Sequence, residues 1–367
     1  MKQNKKFYVG AMTGTSHDAI DVSIIKIQKN IELKFFYSKK FSSKIRAKIK
    51  NVIDTNSITL NELGQLNKEV GILFAKSINE AIIDSKIKKS NIACIAVSGQ
   101  TIRHEPRGKP PFSMQIGDPN IIASLTDLVV ISDFRNMHIA LGGEGAPLVP
   151  EFHNELFFKP KSPRIIINIG GISNFSFVKA RKEIYGTDIG PGNALMDAYC
   201  QKFLNKPFDK NGAIAAKGKV INSELKKLLA NPFFKKAFPK STGKELFNIN
   251  LLSKKFLECS PEDILATLVE LTAQTIVLAI DKNKYEYKEM IICGGGSKNK
   301  FLIERIKNLI PHNVMLSNEL GHDPQSIESM AFAWMGYMRI NNKELIVQQG
   351  KNKYTSGLLG TLSQAKL

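Results

Sequence analysis

The chain has 367 residues. At about 150 residues per domain that predicts two or three domains and a core large enough to need no disulfides or structural metals. With 43% hydrophobic and 23% charged residues, the composition is that of a globular protein, which excludes wholesale disorder, collagen-like repeats and coiled-coil rods. The net charge of +19 raises nucleic acid as a partner. Only 8 of the 52 basic residues are Arg, however, and the lysines are spread along the chain. Basic motifs interleaved with aromatics are absent, so the charge reads as a solvated surface that steers anionic ligands, with no nucleic acid expected.

No uninterrupted run of about 18 apolar residues occurs, so no membrane span is expected. The opening Met1-Lys-Gln-Asn-Lys-Lys resembles the basic end of a signal peptide. The apolar stretch behind it is short and broken by Gly10, so the expected location is the cytoplasm. Cys94, Cys200, Cys259 and Cys293 are scattered without a C-x-x-C pair, as reduced thiols would be.

Along the chain, residues 7–9 and 20–27 read as two strands joined by a turn of small and hydroxyl residues, Gly10-Ala-Met-Thr-Gly-Thr-Ser. Apolar residues at helical spacing predict a long helix over 60–84, with strands near 92–97 and 128–131. The pattern then restarts. A buried strand at 164–169 runs into Gly170-Gly-Ile-Ser-Asn and a second apolar stretch at 175–178. A tight turn follows at 185–193, and a helix begins at Ala194. A strong helical pattern spans 264–280, a strand at 290–293 ends in Gly294-Gly-Gly, and 299–310 is helical. Two blocks, each opening with such a hairpin, predict a duplicated α/β unit with a cleft between halves. The boundary falls in 132–150, where Gly142-Gly and Pro147 break the pattern. The expected division is residues 1–133 and 134–367, with a Lys- and Phe-rich elaboration near 205–258 in the second.

Three turns at strand ends suit phosphate oxygens: Gly14-Thr15-Ser16, Gly170-Gly171 and Gly294-Gly295-Gly296. Glycine lets the backbone approach and lets its amides converge. One such turn is most simply a plain turn; three, split between two halves, point to a divided nucleotide site. Ser241-Thr-Gly243-Lys244 resembles part of a P-loop, but its first glycine would fall at Phe238 and Glu245 replaces the hydroxyl. There is no G-x-G-x-x-G with its acidic partner, no G-x-S-x-G and no H-E-x-x-H.

Among the carboxylates in or beside turns are Asp18, Asp21, Asp133, Asp188, Asp197, Asp323 and Glu328. Phosphoryl transfer needs one to orient and deprotonate the nucleophile. Asp188, in Thr187-Asp-Ile-Gly-Pro-Gly-Asn, is the best candidate because glycines leave space and a helix start favours a nearby anion. Its alternative is a simple turn cap. The six histidines show no ligand spacing.

Gly10-Ala-Met-Thr-Gly-Thr-Ser-His-Asp-Ala-Ile-Asp resembles the opening phosphate motif of the anhydro-N-acetylmuramic acid kinases. Gly99-Gln-Thr-Ile-Arg-His-Glu-Pro, Gln115-Ile-Gly-Asp-Pro, Asp133-Phe-Arg and Gly142-Gly-Glu-Gly-Ala-Pro-Leu-Val-Pro follow in the family's order. So do Asn168-Ile-Gly-Gly-Ile-Ser-Asn, Asp188-Ile-Gly-Pro-Gly-Asn, Lys240-Ser-Thr-Gly-Lys-Glu, Cys293-Gly-Gly-Gly and Glu328-Ser-Met-Ala-Phe-Ala-Trp. The resemblance implies a duplicated ribonuclease-H-like fold of the sugar kinase, actin and Hsp70 type, with two lobes around an ATP cleft. It implies a reaction in which water opens 1,6-anhydro-N-acetylmuramate and O6 is phosphorylated, giving N-acetylmuramate 6-phosphate and ADP in cell-wall recycling. It implies ATP and Mg2+, an amino-sugar substrate and a homodimer.

By position, Asp188 matches the family's general base. Gly14, Thr15, Ser16, His17, Asp18, Ala19, Ile20 and Asp21 match the ATP-phosphate segment, joined by Gly170 and Gly171. Gly294, Gly295 and Gly296 match the adenosine-side turn, and Gln100, Arg135 and Glu328 match the sugar side. Asp18 and Asp21 are candidates to hold magnesium through water. The chain departs from the family at Ser98, where His is usual, and at His138, where Asp is usual. It also departs at His17, Ala19 and Glu144, where Leu, Gly and Gln are usual. These departures leave a same-fold kinase of other sugar specificity as the nearest alternative, and a sugar-sensing regulator without catalysis as a further one.

Overall fold

The computed structural model describes residues 6–14, 17–55, 57–180, 183–243, 246–283, 285–350 and 353–366. The chain forms two compact units. Unit 1 comprises Met1–Phe152 and Ser326–Leu367, and unit 2 is His153–Gln325.

Unit 1 begins with β1 (Phe7–Met12), β2 (Ala19–Ile27) and β3 (Ile31–Lys40), followed by α1 (Ser43–Asp54) and α2 (Leu60–Ser85). Thr59 and Glu62 close a capping box at the start of α2, and Lys86 ends the helix in the left-handed conformation. Next come β4 (Ile92–Val97), β5 (Gln100–Glu105), β6 (Phe112–Ile116), α3 (Pro119–Thr126), β7 (Val130–Ser132) and α4 (Phe134–Ala140). The division between units falls inside α5 (Pro150–Phe157).

Unit 2 holds β8 (Arg164–Ile169), β9 (Ile172–Ala180), β10 (Glu183–Pro191) and α6 (Ala194–Phe203). The expected elaboration consists of short helices, α7 (Asn222–Leu229), α8 (Pro232–Lys235) and α9 (Lys254–Leu257), with 3-10 turns between them. Phe233, Phe247 and Phe256 anchor it in the core around α10 (Pro261–Asn283). Then come β11 (Glu289–Cys293), α11 (Lys300–Leu309) and β12 (Asn313–Leu316). Residues 261–282 of α10 are long and apolar enough to cross a membrane. That stretch is 78% buried inside the protein, which makes it the core helix of unit 2. The chain returns to unit 1 as α12 (Ile327–Ile340), β13 (Leu345–Gly350), β14 (Lys353–Gly357) and β15 (Thr361–Ser363).

The duplication is visible in strand order. The unit 1 sheet runs β15-β7-β4-β1-β2-β3 and the unit 2 sheet β10-β9-β8-β11-β12. In each, three antiparallel strands form a meander whose first strand pairs in parallel with the next. This is the duplicated ribonuclease-H-like α/β fold that the sequence predicts. One strand of each of these parallel pairs, β4 in unit 1 and β8 in unit 2, is buried along its whole length, as strands covered on both faces must be.

The observed division departs from the 133/134 boundary read from the sequence. It falls at Phe152/His153, and residues 326–367 rejoin unit 1. The reason is a close packing of α12 on β1. A Cβ on Gly10 would lie 2.0 Å from the Ser329 carbonyl oxygen, and one on Gly336 would lie 2.9 Å from Ala96 Cβ. Ser23 Oγ lies 2.7 Å from Ser329 Oγ across the same contact. Gly10 lets the strand touch the backbone of α12, and Gly336 makes room for the Ala96 and Cys94 side chains of β4.

Candidate active site

In unit 1 the turn after β1 is tied to the turn between β4 and β5. Thr13 N–H donates to Ser98 Oγ (3.2 Å), Thr13 Oγ1 donates to the Gly99 carbonyl (3.1 Å), and Ser98 Oγ donates to the same carbonyl (2.7 Å). Gly99 has φ +64°, and a Cβ there would meet Gln115 and Ile116 at about 3 Å, so the turn requires glycine. Gln100 is buried. Its Nε2 donates to His17 Nδ1 (2.8 Å) and to the Thr101 carbonyl (3.1 Å). The carbonyl fixes which way the amide faces, so His17 Nδ1 must accept and its ring proton sits on Nε2. Sequence reading places His17 with the phosphates and Gln100 with the sugar; the structure joins them.

Thr15 and Ser16 lie outside the described residues. Asp18 is exposed, and Asp21 is half-buried on β2, where Ser38 Oγ donates to its Oδ1 (2.5 Å). Ala19 opens β2, and the Ile20 side chain belongs to the core of unit 1. Gly14 accepts from His17 N–H (3.2 Å).

Arg135 and His138 lie on α4 and hold the backbone of Gly145 from both sides. Arg135 Nη1 donates to the Gly145 carbonyl (2.9 Å), and Gly145 N–H donates to His138 Nδ1 (3.0 Å). Burial, with the Arg135 charge beside it, pushes His138 down to about 4, so it is a neutral acceptor at ordinary pH. His104, which faces Ser113 Oγ at 2.9 Å, is pushed down to about 4 by the same two causes. Glu144, in the same loop, pairs with Arg107 at 3.1 Å. Both unusual residues, Ser98 and His138, therefore bind backbone. Glu328 is half-buried in the first turn of α12.

In unit 2 the predicted turns meet at one end of the sheet. Gly170 and Gly171 link β8 to β9, and their carbonyls accept from Gly192, Asn193 and Ala194 N–H at 2.9–3.0 Å. A Cβ on Gly192 would lie 2.3 Å from the Gly170 oxygen. The N–H groups of Gly192, Asn193 and Ala194, where α6 opens, are thus taken by carbonyls.

Gly294, Gly295 and Gly296 follow β11 and pack beside the same end of β8. A Cβ on Gly294 would meet Asn168 Oδ1 at 2.3 Å, and one on Gly296 would meet Ile169 Cγ2 at 2.3 Å. Gly295 is exposed, and a Cβ there would meet nothing within 4 Å. Two of the three glycines therefore serve packing, and nothing among the described residues crowds the third.

Asp188 is buried on β10, opposite Asn174 of β9. Its Oδ2 accepts from Thr242 N–H (2.9 Å) and Ser241 Oγ (3.2 Å). Its own N–H donates to the Lys240 carbonyl (3.0 Å). The segment that reads in sequence as an incomplete P-loop is instead the cradle of this carboxylate. The remaining carboxylate candidates have local roles. Asp133 Oδ1 accepts from Asn136 Nδ2 (2.7 Å), and Asp323 Oδ1 accepts from Gln325 N–H (2.9 Å). Asp197 sits in the first turn of α6. Among the described residues, no three His, Cys, Asp or Glu side chains gather as a metal cage.

The family model described as anhydro-N-acetylmuramic acid kinase matches residues 6–362. A curated protein of that name from Gamma-proteobacterium EBAC31A08 is 62% identical over 99% of this chain and 100% of its own. Another, from Pasteurella multocida, is 40% identical over 93% of this chain and 92% of its own. Among solved structures, a ROK family glucokinase from Streptomyces griseus in complex with glucose and AMPPNP covers 90% of this chain and 98% of its own. Its identity is 10% and its TM-score 0.40, a likeness that carries no argument.

Proposed function

The chain belongs to the anhydro-N-acetylmuramic acid kinase family, and from that premise we propose that it opens 1,6-anhydro-N-acetylmuramate with water and phosphorylates O6. The products are N-acetylmuramate 6-phosphate and ADP, formed in the cytoplasm as part of peptidoglycan recycling. The observation that carries this reading is Asp188: a buried carboxylate oriented by Ser241 and Thr242 within an intact family motif.

Asp188 takes a proton from water as the water oxygen bonds to C1. The bond from C1 to the bridging oxygen breaks, and that oxygen, now O6, takes the γ-phosphoryl group of ATP while ADP leaves. Hydrolysis and transfer share one positioned assembly, so no sugar alkoxide is released to solvent. Gln100, Arg135 and Glu328 hold the sugar, with Arg135 braced through Gly145. The 14–21 segment in unit 1 and, within unit 2, the turns at Gly170-Gly171 and Gly294-Gly295-Gly296 each carry positions that match the family's nucleotide-binding motifs, and exposed Gly295 is the turn position open to a ligand.

Magnesium keeps most of its waters and needs only one or two carboxylates. Asp18 and Asp21 fit that role through water, and the ion would neutralise charge on the transferring phosphoryl group. Ser98 and His138 favour the anhydrosugar over an altered substrate, because both direct their polar atoms at backbone.

The test is ADP release by the purified protein with ATP, magnesium and either the anhydrosugar or a panel of non-anhydro amino sugars. Turnover confined to the anhydrosugar is expected. Equal or better turnover of a non-anhydro sugar, or none at all, would overturn the reading.

A further inference from the structure

Lys240 is a buried lysine that the proposed reaction does not use directly. It is 3% exposed. Its Nζ donates to the Phe233 carbonyl (2.8 Å) and lies 4.0 Å from the Phe233 ring centre and 4.8 Å from that of Phe238. Its backbone is locked to the strand carrying Asp188. Lys240 N–H donates to Thr187 Oγ1 (2.8 Å), Thr187 Oγ1 donates to the Lys240 carbonyl (3.0 Å), and Asp188 N–H donates to that same carbonyl (3.0 Å). The next two residues supply both donors to Asp188 Oδ2.

A buried ammonium is unfavourable unless its surroundings compensate. Here two ring faces and one carbonyl do so, and they pin the root of the segment that orients the carboxylate. We infer that Lys240 is a positioning residue for Asp188, its caged ammonium holding the 240–242 segment in the register that aims the base. The inference rests on the reading of Asp188 as that base.

Among the described residues, the charged groups that act on the ammonium are Asp188 on β10, Lys236 just after α8, and Lys282 on α10. Burial pushes Lys240 down to about 8; Lys282 and then Lys236 push the same way, and Asp188 opposes them. Above that pH the ammonium discharges. The attraction to the rings and the charge-assisted bond to Phe233 both weaken, which releases the register of the 240–242 segment even as the fold gains from no longer burying the charge.

The experiment compares wild type, Lys240→Met, Lys240→Arg and Asp188→Asn by kcat, both KM values and thermal midpoint from pH 6 to 10. Lys240→Met is expected to lower kcat about tenfold or more, with each KM changed less than about threefold, because aim and not binding is lost. Wild-type kcat is expected to fall above about pH 8, and Lys240→Arg, which keeps its charge, to lack that fall. Wild-type kcat and pH profile in Lys240→Met, whatever its midpoint, would reduce Lys240 to packing and overturn the inference. Should Lys240→Met not fold, the same alkaline fall in wild type and Lys240→Arg overturns it, as does a wild type without that fall. Asp188→Asn separates the two layers. Full activity there sinks the base assignment, whereas its loss beside an unaffected Lys240→Met sinks the positioning role alone.

Discussion

The two units run the same strand order but bury different polar groups. Around the turns after β1 and β4 and on α4, the buried groups of unit 1 are neutral: Ser98, Gln100 and His138 each bond backbone, and the imidazole of His138 is held uncharged. In unit 2 the corresponding end of the sheet keeps a carboxylate and an ammonium, Asp188 and Lys240, on one pair of segments. Neutral hydrogen bonds fix the shape of a loop at small cost and do not respond to ionisation near neutral pH. Buried charges are harder to keep and are worth keeping where a proton must move. At these turns, then, the buried groups of unit 1 fix loop shape, and those of unit 2 include the charged pair on which the proposed chemistry rests.

The largest expected effect tests the charged side. Asp188→Asn keeps the size of the side chain and removes the proposed base, so kcat should fall by about 10²–10⁴ with KM for ATP little changed. Steady-state ADP release checks it, and a fall confined to KM would break the contrast between units.

Gly192→Ala comes next. The new methyl would lie 2.3 Å from the Gly170 oxygen and 2.9 Å from Ser173 Oγ. A backbone carbonyl cannot step aside cheaply, so a loss of about 1–3 kcal/mol is expected by urea unfolding. Activity should fall with it, since the Gly170 turn and the end of β10 move together.

His138→Leu tests the neutral side. It leaves the buried Gly145 N–H without its acceptor and should cost about 1–3 kcal/mol at pH 7. The wild-type pH dependence has a definite sign. His138 is lowered from 6.5 to about 4 in the folded chain, so between those values the unfolded chain binds the extra proton. Stability then rises with pH across this window and is lost as pH falls through it, by up to about 3 kcal/mol from this residue. His138→Leu should flatten that slope. Lys240, lowered from 10.5 to about 8, gives the same sign in a separate alkaline window. Urea midpoints measured from pH 4 to 10 distinguish the two.

The smallest effect on stability is the most informative about ligands. Gly295→Ala adds a methyl into open space, so stability should stay within about 0.5 kcal/mol. If the turn approaches ATP, KM for ATP should rise while the thermal midpoint holds. An unchanged KM would remove Gly295 from the nucleotide site.

Much of this architecture is legible in the sequence because it rests on local periodicity. The all-apolar runs of β4 and β8, the hairpins after β1 and β8, and the helical stripes of α2 and α10 can all be read without the fold. The unread parts depend on contacts between distant residues. Gly10 looks like a turn glycine, yet it is small because α12 lies on it, and that contact moves the unit boundary. Lys240-Ser-Thr reads as a failed phosphate loop because its partner, Asp188, is 53 residues from Ser241. Gly294-Gly-Gly reads as one uniform phosphate turn, and only the packing against Asn168 and Ile169 separates two structural glycines from the exposed third. His138 reads as a change in the sugar site, and its bond to Gly145 makes it a loop clamp. Asp188 itself is legible from its glycine-rich surroundings, but the donors that aim it are not.

The central claim is that the chain uses water to open an anhydro bridge as it transfers phosphate. The most direct measurement is one turnover in ¹⁸O-labelled water with 1,6-anhydro-N-acetylmuramate, ATP and magnesium, read by mass spectrometry of the sugar phosphate. The account predicts one ADP per sugar, one labelled oxygen on C1 and an unlabelled phosphate ester at O6. ADP release with no label on the sugar, or label in the phosphoryl group, would contradict it.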